Sequence, residues 1–78
     1  MEVKMKYFGQ IADQLQLAEE TISIEVNETL NVREFIEKRY PSLAQNTYQI
    51  AINEAFEELI EPSMNVYEIA LLPPFAGG

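Results

Sequence analysis

Hydrophobic and polar residues alternate along much of the chain, and the alternation changes period where the elements change. From Glu2 to Phe8, Val3, Met5 and Tyr7 fall on one side and Lys4 and Lys6 on the other, the pattern of a half-buried strand. Phe8 breaks the alternation with an apolar residue on the polar face. Gly9–Leu17 suits a short helical turn, with Ile11, Leu15 and Ala18 spaced to cover one end of a core. Thr21–Val26 returns to a period of two, with Ile22, Ile24 and Val26 inward.

The period then changes to that of a helix. Asn31 is an N-cap with Glu34 at N3, an Asx variant of the capping box, and Leu30 and Phe35 match a hydrophobic staple. Val32, Phe35, Ile36 and Tyr40 form one apolar stripe. Lys38 and Arg39 suit the negative end of the dipole, and Pro41 prevents continuation. Ser42–Thr47 is a connection, and Tyr48–Asn53 is a strand that turns at Asn53-Glu54. Phe56–Ile60 is a short strand, followed by a turn over Glu61–Asn65 containing Pro62. Tyr67–Leu72 is apolar on both faces, as a central strand must be. This order predicts an α+β domain, one main helix packed on one face of a mixed sheet.

Seventy-eight residues make one small domain, residues 1–78, with an extended tail over 73–78. No apolar run approaches the roughly 20 residues of a membrane span, and the first residues lack the apolar stretch of a signal peptide. With no cysteine there is no disulfide framework, and the expected location is the cytoplasm. The net charge of −8 argues against nucleic acid and permits steering towards a basic partner. With neither His nor Cys, the commonest general base and the strongest nucleophile are missing. No phosphate loop or metal-ligand spacing is present, so an autonomous enzyme is not expected.

The chemistry concentrates in Leu72-Pro73-Pro74-Phe75-Ala76-Gly77-Gly78. Pro73 and Pro74 cannot donate ladder hydrogen bonds, so they end the strand and hold the backbone near polyproline II. Fully extended, the tail from Pro73 reaches roughly 20 Å, at about 3.3 Å per residue. Gly77 and Gly78 lack a Cβ, so the backbone can thread a narrow channel and present a bare carboxylate. A frayed terminus is the structural alternative.

The Pro-Pro-x-x-Gly-Gly ending after Glu68-Ile69-Ala70-Leu71-Leu72 resembles the small subunit of molybdopterin synthase, a ubiquitin-like sulfur carrier. Tyr7-Phe8 and Ala51-Ile52-Asn53-Glu54 are also similar to that family's segments, and the likeness spans nearly the whole chain. The resemblance implies a β-grasp fold whose first and last strands pair in mid-sheet. It implies that Gly78 is adenylylated, passing through a transient acyl-AMP, and converted to a thiocarboxylate that donates sulfur to the pterin precursor of molybdenum cofactor. No bound cofactor is implied. The implied partners are the synthase large subunit, which would hold the catalytic site of a heterotetramer, and a ubiquitin-activating-like adenylyltransferase. Phe8, Phe56, Leu72, Pro73, Pro74 and Phe75 would form the docking surface, although Phe8 also suits a strand end under a loop and Phe56 a core position.

Two positions depart from the family pattern. Asn65-Val66-Tyr67 replaces an Asp-Gly-Asp turn, which points to Asn65 in the left-handed region. Ala12 replaces an arginine of the first helical turn, which puts one polar partner contact in doubt. Other readings stay open: a sulfur carrier for thiamine synthesis or tRNA thiolation, a lysine-conjugated modifier, or a β-grasp interaction module with an inert terminus.

Overall fold

The computed structural model describes residues 1–74. Its elements are β1 (Glu2–Tyr7), α1 (Gln10–Leu15), β2 (Glu19–Ser23), β3 (Leu30–Asn31), α2 (Val32–Arg39), a 3-10 turn (Pro41–Gln45), β4 (Gln49–Ile52), β5 (Ala55–Phe56), β6 (Leu59–Ile60) and β7 (Glu68–Leu72). Five strands form one mixed sheet in the order β2-β1-β7-β4-β5, and β3 and β6 form a separate two-stranded ribbon. β1 and β7 run parallel at the centre, with Met5 beside Ile69 and Tyr7 beside Leu71. β4 pairs antiparallel to the other side of β7, with Ile50 opposite Leu71 and Ile52 opposite Ile69.

These registers line Val3, Met5, Tyr7, Ile22, Ile50, Ile52, Ile69 and Leu71 on one face, where they join Val32 and Ile36 of α2 in a single core. The helix forms where its caps require. Asn31 Oδ1 accepts from the Glu34 backbone N–H at 3.1 Å. The carboxylate of Glu34 makes no reciprocal bond among the described residues. At the other end Tyr40 has left helical geometry ahead of Pro41, at φ −131° and ψ 83°. Among the described residues no helix is long and apolar enough to cross a membrane.

Several boundaries differ from the sequence expectations. β2 lies earlier, ending at Ser23, although Ile24 is still buried and its N–H and C=O bond to Met1. The expected strand Phe56–Ile60 is two strands with different partners: β5 pairs with β4, and β6 with β3. Ala18 is exposed, and Leu17 packs on the core in its place. The cause is Gln16, which takes the left-handed conformation (φ 55°, ψ 42°) and shifts the phase of the chain after α1. The connection after Pro41 holds Leu43, which is fully buried.

The turn before β7 corrects the expectation for Asn65. Positive φ falls instead on Asn53 (50°) and Glu54 (69°), the two-residue hairpin between β4 and β5. Val66 is core, at 1% exposure. The Asn53 side chain organises this region: its Nδ2 donates to the Asn65 carbonyl at 2.8 Å, and its Oδ1 accepts from the Tyr67 and Glu68 N–H groups at 2.9 and 3.2 Å. One asparagine thus supports two turns.

A second polar cluster ties β1, β2 and the end of α2 together. Glu20 lies on the inner side of edge strand β2 and accepts from the Tyr7 and Tyr40 hydroxyls, both at 2.6 Å, and from Arg39 at 3.1 Å. Burial alone would raise the Glu20 carboxyl, but the bonds from Tyr40, Tyr7 and Arg39 outweigh it and hold the carboxyl below the usual glutamate range. Burial, followed by the bond to Glu20, pushes the Tyr7 hydroxyl far above the usual tyrosine range.

Asn53→Gly keeps the positive φ but loses the three side-chain bonds, and should cost about 1–3 kcal/mol in urea unfolding. Asn53→Ala should cost about 1–2 kcal/mol more, because a Cβ is then forced into the left-handed region. Glu20, being lowered in the fold, adds stability above the ordinary glutamate range, and that stability is lost as pH falls through its folded value. Glu20→Gln should therefore flatten the acid limb of a stability-versus-pH curve; an unchanged limb would remove Glu20 as its origin.

Candidate functional site

Alternation along the central strands gives the sheet a second face. Lys4, Lys6 and Phe8 of the first segment point opposite to the core, as do Glu68, Ala70 and Leu72 of β7, Gln49 and Ala51 of β4, and Phe56 of β5. Ala51 and Ala70 are buried yet lie outside the core cluster, as outer-face positions on interior strands should.

On this face the charged residues gather over β1, β2 and the start of β7. Lys6 pairs with Glu68 at 3.0 Å and Lys4 with Glu19 at 3.9 Å. The hydrogen bond to Glu68 holds the Lys6 ammonium above its ordinary value. Beyond this rim lies an apolar strip. Phe8 is 43% exposed, and its N–H donates to the Leu71 carbonyl at 3.1 Å, which sets it beside Leu72. Ala70, Ala51 and Phe56 follow in one row across β7, β4 and β5. Phe56 is 65% exposed.

Three of the expected surface residues, Phe8, Leu72 and Phe56, therefore share one face. Among the described residues no loop covers Phe8, and Phe56 is not core. Ala51 and Ala70, which join them into a strip, enter the sequence only within the segments that resemble the sulfur carriers. Their role comes from strand pairing, which a period of two does not specify. Ala12 packs on the core and offers no polar contact.

The chain leaves the sheet at one end of this strip. Pro73 is exposed and Pro74 half-buried. The Gln49 side-chain amide donates to the Pro74 carbonyl at 2.6 Å. Pro73 also lies close to Gly9, where an added Cβ would stand 3.2 Å from Pro73 Cγ. Phe8, Gly9, Ile11 and both prolines line a groove of about 340 Å³. Phe75, Gly77 and Gly78 lie outside the described residues. Neither Gln49 nor Gly9 stands out in the sequence, since their roles depend on which strand lies beside β7.

Among the described residues no group of three or more His, Cys, Asp or Glu is placed to hold a metal ion. Four of the five basic residues, Lys4, Lys6, Arg33 and Arg39, pair with glutamates, so the acid excess stands largely uncompensated. The arrangement presents an exposed apolar strip beside two lysine–glutamate pairs, and the chain leaves the sheet through Pro73 and Pro74 at one end of it.

Central parallel first and last strands, flanked by antiparallel neighbours and packed on one main helix, define a β-grasp fold of the ubiquitin-like class. No protein-family model matches the chain. Among solved structures it is similar to "Putative molybdopterin converting factor, subunit 1" from Pyrococcus furiosus, with a TM-score of 0.69 and 21% sequence identity, over 96% of this chain and 99% of that one. The likeness shows the same fold along essentially the full length of both chains.

Phe56→Glu should leave unfolding stability within about 0.5 kcal/mol of the parent, as expected for an exposed site without special contacts. Ile52→Ala, on the inner face of the same hairpin, should cost about 2–5 kcal/mol. Chemical unfolding of the two variants checks the assignment of faces; a strongly destabilised Phe56→Glu would place Phe56 in the core.

Proposed function

We propose that this protein is a ubiquitin-like sulfur carrier, the small subunit of a molybdopterin synthase. The observation that carries the reading is the path of β7: the central strand runs out of the sheet into Pro73-Pro74 beside an exposed apolar strip. The likeness to a solved structure described as a molybdopterin converting factor subunit supports it, as does the Gly-Gly ending of the sequence.

In this reading the Gly78 carboxylate attacks the α-phosphorus of ATP and releases pyrophosphate. The acyl-adenylate now has a good leaving group, which a free carboxylate lacks. A hydrosulfide equivalent attacks the acyl carbon, AMP departs with the bonding electrons, and loss of a proton leaves a thiocarboxylate. Its sulfur is a soft nucleophile, ionised near neutral pH, and attacks an electrophilic carbon of the pterin precursor, from which an oxygen substituent departs with the bonding electrons. Water then cleaves the acyl–sulfur bond, which returns Gly78 as a carboxylate and leaves sulfur on the product. The adenylyltransferase and the synthase large subunit supply the catalytic groups, and Phe8, Leu72, Phe56 and the prolines serve as the docking surface for both in turn. The carrier and the large subunit together make up the heterotetramer of this reading.

Protein produced together with an activating enzyme and a sulfur source should gain the mass of sulfur exchanged for oxygen, and a thiol reagent should label Gly78. The absence of cysteine makes that label specific. Gly78→Ala should abolish it, because a side chain blocks the channel that admits the tip. An unmodified terminus under these conditions would sink the carrier reading and favour an interaction module; normal activation of Gly78→Ala would sink the channel argument alone.

A further inference from the structure

We propose that Gln49 is a positioning residue for the tail, holding Pro74 so that the chain leaves the sheet in one direction. The need arises from the two prolines. β7 pairs with β4 as far as Leu72, opposite Gln49. Beyond that point the ladder has no donor, because Pro73 and Pro74 carry no N–H, yet their carbonyls remain as acceptors. The Gln49 side chain supplies the missing donor, with its Nε2 2.6 Å from the Pro74 oxygen. A carbonyl only accepts, so the group facing it must be the amide nitrogen.

The bond has leverage because little other freedom is left. The proline rings fix φ at residues 73 and 74, so the path from Leu72 to the Pro74 carbonyl depends mainly on three ψ angles. One bond at the far end of that path restricts all three. Gly9 complements it on the other side. Its backbone, at φ 60° and ψ −134°, occupies a region that is essentially glycine's alone, and the missing Cβ leaves room for the Pro73 ring. Gln49 also lies on the outer face beside Leu72, so a partner covering the strip would bury an amide whose nitrogen is already bonded.

The use of this anchor rests on the carrier reading: a tail already aimed loses less conformational freedom on entering an active site. The test is Gln49→Glu, nearly isosteric but without the donor when ionised, compared with Gln49→Lys, which restores one. Adenylylation by the cognate activating enzyme is followed by ATP–pyrophosphate exchange, and the scalar coupling between Gln49 Nε2 and the Pro74 carbonyl by NMR. Gln49→Glu should raise KM for the carrier about five-fold, the equivalent of about 1 kcal/mol for one hydrogen bond, with kcat unchanged. Its melting temperature should barely move, and Gln49→Lys should recover most of the KM. An unchanged KM in Gln49→Glu, with the parent fully active, overturns the positioning role and leaves the carrier reading intact. Failure of the parent itself to be adenylylated counts against the carrier reading; the coupling then decides the anchor, which is upheld if the coupling is present in the parent and overturned if it is absent.

Discussion

The structure depends on the parallel pairing of β1 with β7 at the middle of the sheet. A strand with neighbours on both sides must satisfy two faces at once. In β7 the inner face, Ile69 and Leu71, goes to the core. The outer face, Ala70 and Leu72, has no helix over it among the described residues and joins Ala51, Phe56 and Phe8. The core and the exposed apolar strip thus lie on opposite sides of the same backbone. Leu72, which ends the ladder, is followed directly by Pro73, so the chain leaves the sheet from its central strand.

Much of this is legible in the sequence because the longer elements bury one face against a common core. The alternation in β1, the Asn31 cap and the Val32 and Ile36 positions each reflect a local period or a local bond. The features that escape are those in which a partner distant in sequence decides. β3 and β6 are two residues each, too short to show a period, and exist only through each other. Leu43 is a lone apolar residue after Pro41, with no repeat to mark it. The strained conformation expected at Asn65 is carried instead by Asn53 and Glu54, and the Asn53 side chain is what makes a glycine-free turn tolerable before β7.

The candidate site divides in the same way. Phe8 is legible as an apolar residue out of place, and Phe56 and Leu72 only through resemblance to sulfur carriers. Ala51 and Ala70 are not, since an alanine in an apolar run gives no sign of which neighbour it will meet. Gln49 and Gly9 are the least legible. A glutamine in a strand draws no notice until the strand opposite ends in two prolines, and a glycine after a strand is ordinary until a ring lies against it. Glu20 is a similar case: its charge suggests a solvated edge, but two tyrosines and an arginine converge on it from other elements.

The central pair also governs when the domain can exist. Lys4 and Glu68 stand side by side although they come from opposite ends of the described chain. Contacts of such long sequence separation carry the entropy cost of closing the intervening loop and slow folding. During synthesis β1 has only its antiparallel neighbour β2 until β7 has been made. The sheet therefore closes only once nearly the whole chain is available, and the outer apolar strip, which β7 helps to build, is assembled in that same step.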